Sequence, residues 1–192
     1  MKNFKNRFIE LILTFFYCGR SIIAPGTVGT FFALLFWWFV NDYFVQNHFN
    51  IIFQMSFWIF LILIFTGFAI LTIKKYQPHN KSAKKSKDID HKSIVIDEAV
   101  GIFIALEILN FFARELYILN PLRFLLFVIL SFIIFRILDI TKPLIIGVCD
   151  RKIKTPIGVM LDDILCGIFT GIFMVLLFEY SKNSSFFELI HC

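Results

Sequence analysis

The stretch "LRFLLFVILSFIIFRILDITKP", residues 122–143, decides what kind of protein this sequence encodes. Its first part is almost entirely apolar, and the run is long enough to cross a bilayer as a helix, which takes about 17–25 residues. Its last part places Arg136, Asp139 and Lys142 three residues apart, just before Pro143. The stretch therefore predicts a membrane helix that carries a charged group at its end.

The composition of the whole chain agrees with a membrane protein. The chain has 192 residues, of which 58% are hydrophobic, and its mean hydropathy is +0.79. A water-soluble core of this size cannot bury that much apolar surface, so the bilayer is the expected solvent. The length fits one domain, and we expect residues 1–192 to form a single membrane domain.

Apolar segments of crossing length recur along the chain. Four of them reach the required length, at about residues 28–47, 51–73, 122–140 and 160–180. A fifth, about 95–113, is interrupted by acidic residues, and the N-terminal piece, about 4–17, fits either an interfacial helix or a buried half-span. Residues 74–93 form the clearly solvated loop. The predicted fold class is all-α: a polytopic membrane helix bundle with about four to five spans.

The distribution of lysine and arginine predicts the orientation of this bundle. If the chain starts in the cytoplasm and five spans each cross once, all but three of the 19 basic residues lie on the cytoplasmic side. Such a bias marks the cytoplasmic side of membrane proteins. The same threading places three polar stretches on that face, at residues 19–30, 93–101 and 136–163. We therefore expect the active site at the cytoplasmic face.

Two pairs of adjacent acids begin predicted helices in these stretches. Asp97 and Glu98 lie in "SIVIDEAVG", with Ser93 as a candidate N-cap, and Asp162 and Asp163 lie in "VMLDDILCG". A charged helix start at the water interface is the simpler interpretation, since carboxylates are favoured near helix N-termini. Adjacent carboxylates repel each other, however, and a bound Mg²⁺ would turn that repulsion into ligation.

The charged end of the opening stretch adds the complementary charge. Arg136 and Asp139 share a helix face because they are three residues apart. Pro143 disfavours helical geometry at the residue before it, so we expect the helix to fray near Asp139–Thr141 and to leave Lys142 on a turn. Snorkelling to lipid headgroups would explain the two cations, but not the aspartate between them.

The stretch "GRSIIAPGTVGT" is rich in small residues and turn formers just before a span. Thr27 is a candidate cap for the helix that follows, and exposed N–H groups at Gly26 and Thr27 would favour a phosphate. The Walker A pattern is absent. Together, these stretches suit phosphoryl chemistry: acids hold Mg²⁺ or activate water, while cations and backbone donors bind phosphate oxygens.

Four of these segments, in order and in spacing, resemble the phosphatidylglycerophosphatase A family. They are "APGTVGT" (24–30), "IVIDEAVG" (94–101), "FRILDITKP" (135–143) and "GVMLDDILCG" (158–167), and the resemblance covers roughly residues 12–180. It implies an all-helical, Mg²⁺-dependent phosphatase of the bacterial inner membrane. This enzyme would remove the terminal phosphate from phosphatidylglycerophosphate and yield phosphatidylglycerol. The implied partners are a phospholipid substrate and the membrane, with no nucleic acid.

The resemblance also implies roles for individual residues. The acidic motif positions, implied to hold the metal and to take part in catalysis, are Asp97, Glu98, Asp139, Asp162 and Asp163. The positions implied to bind phosphate are Arg136 and Lys142, with Gly26 and Thr27 from the glycine-rich turn. Family members often carry a glycine where Arg20 or Ser21 stands. We favour direct hydrolysis by a metal-activated water, with a phospho-aspartate intermediate as the alternative.

Two other functions fit parts of the pattern. A CDP-alcohol phosphotransferase is another Mg²⁺-dependent membrane enzyme with clustered aspartates, but its sequence pattern is missing. A cation transporter would also collect acids, usually near the bilayer midplane. Here only Glu107 lies deep in a span, and the other acids lie at span ends among cations that would repel a metal in transit. These features favour the phosphatase.

Overall fold

The structure is a computed structural model that describes residues 2–75, 93–143, 146–147, 153 and 155–183. In these residues the chain is all-helical, as predicted. The six helices are α1 (Lys2–Leu13), α2 (Pro25–Gln46), α3 (Ile51–Thr72), α4 (Ile96–Leu119), α5 (Pro121–Thr141) and α6 (Pro156–Asn183). Most of the predicted solvated loop, from residue 76 to residue 92, lies outside the described residues.

Four of the helices, α2, α3, α5 and α6, are long and apolar enough to cross a membrane. Helix α3 is the most exposed of them: only 11% of its most apolar window is buried, and the mean hydropathy of that window is 2.3. Its outward face carries Ile59, Phe60 and Leu63. In water this face would be a large unfavourable apolar surface, so the lipid chains of a bilayer are its natural neighbours.

Helix α4 corresponds to the segment at about residues 95–113, whose apolar run is interrupted by acidic residues. It spans 24 residues with a kink at Ala113, where the backbone leaves helical geometry (φ −109°, ψ 18°), and it contacts α2, α3, α5 and α6. Its acids do not interrupt it because they face other helices rather than lipid: Asp97 and Glu107 are both buried. Helix α4 is therefore the central helix of the bundle.

Polar contacts deep in the bundle join α4 to α2. Trp37 Nε1 donates a hydrogen bond to Glu107 Oε1 at 2.6 Å. The side-chain amides of Asn41 and Asn110 exchange hydrogen bonds at 3.3 and 3.5 Å. Glu107 thus faces the bundle interior, and hydrogen bonds of this kind stabilise helix pairs in membranes by about 1 kcal/mol each.

Glycines allow α6 to approach α4 closely. A Cβ on Gly167 would overlap the carbonyl oxygen of Gly101, and a Cβ on Gly101 would lie 2.6 Å from the carbonyl oxygen of Asp163. Farther along, Gly171 faces Ile108. Small residues drive helix association in membranes because they permit such backbone contact. The contact fixes Asp163 beside the first turns of α4.

This packing makes a testable prediction at Gly167. We expect Gly167→Ala to lower the free energy of unfolding by about 1–3 kcal/mol, because the added methyl group must push α6 away from α4. Thermal unfolding in detergent measures the effect.

The matched control for this substitution is Gly67→Ala on α3. A Cβ at Gly67 meets nothing within 4 Å, and alanine is favoured over glycine in a helix by about 1 kcal/mol. We therefore expect an unchanged or slightly raised melting temperature. Equal melting temperatures for Gly167→Ala and the unmodified protein would contradict the packing described for α4 and α6.

The N-terminal piece forms a short helix and a tight turn. Helix α1 has 12 residues, about 18 Å, which is too short to cross a bilayer. Its side chains Ile9 and Leu13 are buried, and the helix contacts α3. The turn that follows contains Phe15, Phe16 and Tyr17, all in left-handed backbone conformations.

Candidate active site

The polar stretches that the sequence predicts on one face come together at one end of the bundle. Helices α2, α4 and α6 begin there and α5 ends there. The start of α2, at Gly26, lies against Glu98 on α4 and Arg136 on α5, and Lys142 at the end of α5 forms an ion pair with Asp162 on α6. We call this end, with its five acids and two cations, the site end.

Arg136 connects three helices at the site end. Its Nη1 lies 2.7 Å from Asp139 Oδ2 and 3.3 Å from Glu98 Oε1, and it donates a hydrogen bond to Thr30 Oγ1 at 3.3 Å. Only 14% of the arginine side chain is exposed. Sequence reasoning missed Thr30, although it lies one helical turn after Gly26 and so shares that face of α2.

Lys142 lies on a turn, as predicted, and the helix before it ends within the predicted stretch from Asp139 to Thr141. Helix α5 continues to Thr141. Lys142 then adopts a left-handed conformation, with φ 41° and ψ 60°, and its N–H donates to the carbonyl oxygen of Leu138 at 2.8 Å. A left-handed cap satisfies a carbonyl of the last turn and ends the helix cleanly. The side chain then reaches Asp162 on α6.

Three of the predicted acids are almost fully buried. Asp97, Asp162 and Asp163 are 5%, 4% and 4% exposed. Asp163 is within electrostatic reach of each of the other four acids of the site end. Burying carboxylates together is unfavourable unless cations or hydrogen-bond donors compensate for the lost water. The five acids outnumber Arg136 and Lys142 by three.

Asp163 shows most clearly what a ligand would supply. Its Oδ1 is buried, and none of the described residues forms a hydrogen bond with this oxygen or an ion pair with the carboxylate. A hard divalent cation would satisfy such an oxygen. In the described ranges, no three acidic, histidine or cysteine side chains stand together at metal-ligand spacing. Asp139 and Asp162 instead form ion pairs with Arg136 and Lys142. Carboxylate oxygens are suitable ligands for Mg²⁺, but these two acids would have to exchange their cation partners for the metal ion.

The glycine-rich turn packs against the site, and the helix caps differ from those predicted. The N-cap of α2 is Ala24, without a side-chain cap, so Thr27 lies inside the helix and does not cap it. Likewise, Val95 rather than Ser93 is the N-cap of α4. A Cβ on Gly26 would overlap the Glu98 carboxylate. Glycine is required there because the start of α2 approaches the site so closely, whereas phosphate binding by Gly26 and Thr27 stays a prediction.

These features define a class: a helical membrane protein with a cluster of acids and cations, suited to phosphoryl chemistry, at one end of its bundle. The family model described as Phosphatidylglycerophosphatase A matches residues 11–178. The chain belongs to this family and is an enzyme of the phosphatase class.

Curated relatives agree with the family match. The chain is 30% identical to Phosphatidylglycerophosphatase A of Escherichia coli K12 over 162 residues, which are 84% of this chain and 78% of that protein. It is 28% identical to Phosphatidylglycerophosphatase A of Haemophilus influenzae, covering 85% of each chain. A Bacteroides thetaiotaomicron protein named "Putative phosphatidylinositol-3-phosphatase" is 33% identical, with 84% of this chain and 88% of that protein covered. No solved structure matches the chain significantly. Together with the membrane-spanning helices, these relatives indicate a bacterial membrane protein.

Proposed function

We propose that this enzyme hydrolyses the terminal phosphomonoester of phosphatidylglycerophosphate to give phosphatidylglycerol and phosphate. The observation that carries the proposal is the site end itself, where Arg136 and Lys142 lie among five carboxylates at the end of a membrane bundle. Two of the relatives bear the name of this activity. A site at the bundle end suits a substrate whose phosphate projects from the membrane surface.

The two cations would bind the oxygens of the terminal phosphate. Arg136 offers a planar set of donors that matches phosphate oxygens, and Lys142 offers a compact charge. In the structure both cations are held by acids of the site, which fixes them in place before a substrate arrives. Phosphate binding would then exchange carboxylate oxygens for phosphate oxygens.

Hydrolysis itself needs a base and a leaving group. A water oxygen forms a bond to phosphorus, the bond between phosphorus and the glycerol oxygen breaks, and the glycerol oxygen takes up a proton. A buried carboxylate next to the bound phosphate can accept the proton that the water loses. Asp97, Glu98, Asp139, Asp162 and Asp163 are the candidates for this role.

Mg²⁺ dependence is part of the proposal. The same five acids would hold the ion, and it would supply positive charge to polarise a phosphoryl oxygen. The buried Oδ1 of Asp163, which has no hydrogen-bond partner among the described residues, supports a cation at this site.

The proposed location is the bacterial inner membrane, with the site end in the cytoplasm. If successive spans cross in alternating directions, almost all lysines and arginines lie on the same side as the site end. An excess of lysine and arginine marks the cytoplasmic side of membrane proteins. The exceptions are Arg114, Arg123 and Lys182.

A substrate panel tests the proposed reaction. The purified protein in neutral detergent with Mg²⁺ is given phosphatidylglycerophosphate, phosphatidylinositol 3-phosphate or soluble glycerol 3-phosphate, and phosphate release is followed. We expect kcat/KM to be highest for phosphatidylglycerophosphate. Faster hydrolysis of phosphatidylinositol 3-phosphate would refute this substrate while leaving the phosphatase class intact. Ion flux in vesicles without any phosphate release would favour the transporter instead.

A further inference from the structure

Arg20 is a third cation beside the site end, outside the cluster of five acids. It lies on the short 3-10 helix Cys18–Arg20 that precedes α2. Gly19 in this short helix packs so closely on the backbone of Ser93 that a Cβ would overlap the Ser93 carbonyl oxygen. Ser93 stands only four residues before Asp97, so Arg20 lies next to the entry into α4.

The guanidinium of Arg20 is held in a fixed position. Its Nε and Nη2 both donate to Glu10 Oε1, at 3.0 and 2.6 Å, and its central carbon lies 4.5 Å from the centre of the Tyr17 ring. Glu10 is 3% exposed, whereas 49% of the Arg20 side chain is exposed. Nη1 has no acceptor in the part of the chain that the structure describes. A buried carboxylate thus orients an outward-facing arginine, and such preorganisation favours binding of an anion.

The residues that follow Arg20 indicate what kind of anion this is. Ile22 and Ile23 are 100% and 81% exposed, and Phe16 nearby is 61% exposed. Apolar side chains next to an arginine at the end of a membrane bundle are typical of residues at the membrane interface. In this region the acyl chains of the lipids meet their phosphate groups. The ligand chemistry that fits is the phosphodiester monoanion of a glycerophospholipid.

We propose that Arg20 binds the phosphodiester of the lipid substrate while Arg136 and Lys142 hold the terminal phosphate. This inference rests on the proposed function. Phosphatidylglycerophosphate carries two phosphates joined through glycerol: the terminal one is removed, and the one next to the diacylglycerol must bind without reacting. A cation placed outside the acid cluster suits the second task. Arg20 is then a specificity-determining residue for lipids that contain a phosphodiester.

The test compares Arg20→Gln and Arg20→Lys with the unmodified protein in neutral detergent. The substrates are phosphatidylglycerophosphate, which has a phosphodiester, and phosphatidic acid, which has only a monoester. For Arg20→Gln we expect KM for phosphatidylglycerophosphate to rise about tenfold, the size of one charge-assisted contact, with kcat nearly unchanged. KM for phosphatidic acid should not change. Arg20→Lys should fall in between, because lysine keeps the charge but not the planar donor set.

Two outcomes would overturn the proposal for Arg20. An equal loss on both substrates in detergent, with a lower melting temperature, would make Arg20 a structural brace of the turn. Alternatively, Arg20→Gln could raise KM equally for both substrates, and only in vesicles of phosphatidylcholine with phosphatidylglycerol. This result would mean that Arg20 binds surrounding lipid rather than substrate.

A binding measurement separates this inference from the proposed function. Dioctanoyl phosphatidylglycerol has the phosphodiester but no removable phosphate, and calorimetry follows its binding to the unmodified protein and to Arg20→Gln. Weaker binding to Arg20→Gln supports the phosphodiester site even if phosphatidylglycerophosphate is not hydrolysed, a result that would refute the proposed function. Equal binding, together with normal hydrolysis by Arg20→Gln, would refute the phosphodiester site alone.

Discussion

Replacing Asp97 or Asp162 by asparagine is expected to lower the rate of phosphate release by about 100-fold or more, with the protein still inserted in the membrane. Asparagine keeps the shape of the side chain but removes its negative charge. Asp162 would lose its ion pair with Lys142, and either substitution would remove a carboxylate proposed to bind Mg²⁺ or to accept a proton. Phosphate release by the purified variants, with melting temperatures as the measure of folding, gives the result.

Glu179→Gln is the matched control for these two variants. Glu179 lies near the far end of α6, is half exposed and pairs with Lys182, so the loss of its charge should leave turnover unchanged. If purified Asp97→Asn or Asp162→Asn kept near normal turnover, the assignment of the site would be wrong. A large loss in Glu179→Gln would show that charge removal anywhere on the chain impairs the protein.

Arg136→Lys is expected to have an effect of similar size on catalysis. Lysine keeps the positive charge but cannot reach Glu98, Asp139 and Thr30 together, as the guanidinium does. We therefore expect kcat/KM to fall about 100-fold, since the planar donor set matters both for phosphate and for holding three helices in register. Steady-state kinetics on phosphatidylglycerophosphate measures the loss.

Arg136→Ala extends this test to stability. Removing the cation takes an ion-pair partner from the partly buried carboxylates of Glu98 and Asp139, so the melting temperature should fall as well. Arg123→Lys is the control, because Arg123 lies at the opposite end of α5 from the site end. Normal turnover in Arg136→Lys would contradict the proposed phosphate-binding role.

The sequence predicted most of the fold because hydropathy reports directly on contact with lipid. The four segments recognised by length correspond to α2, α3, α5 and α6. The apolar run of α4 is interrupted by acidic residues, so the sequence did not mark it as clearly as the other four. In the structure Asp97 and Glu107 are shielded by neighbouring helices, and a single sequence does not show which helix is surrounded by the others.

The grouping of the site residues was also predictable, but their partners were not. Spans that alternate in direction bring the starts of α4 and α6 to the end of α5, and this places Asp97, Asp162 and Arg136 at one end. The contact from Arg136 to Thr30 and the burial of Asp163 Oδ1, which has no partner in the described part of the chain, depend on side-chain packing. The close approach of α2 to Glu98 at Gly26 also depends on packing, and phosphate binding by Gly26 stays a prediction.

The ion pairs of the site end give the structure a clear chemical meaning. Arg136 and Lys142 form ion pairs with acids that the proposal assigns to Mg²⁺. Binding of phosphate to the two cations would free these acids for Mg²⁺, and binding of Mg²⁺ to the acids would free the two cations for phosphate. Metal and phosphate should therefore bind more tightly together than separately. This expectation links the two halves of the proposed site.

The most direct test of the central claim is phosphate release from phosphatidylglycerophosphate by the purified protein, with Mg²⁺ and after its removal by a chelator. We predict rapid release with Mg²⁺, a fall to the background rate after chelation, and recovery when Mg²⁺ is added back. An absence of release in the presence of Mg²⁺, from protein with a normal melting transition, would contradict the proposed function.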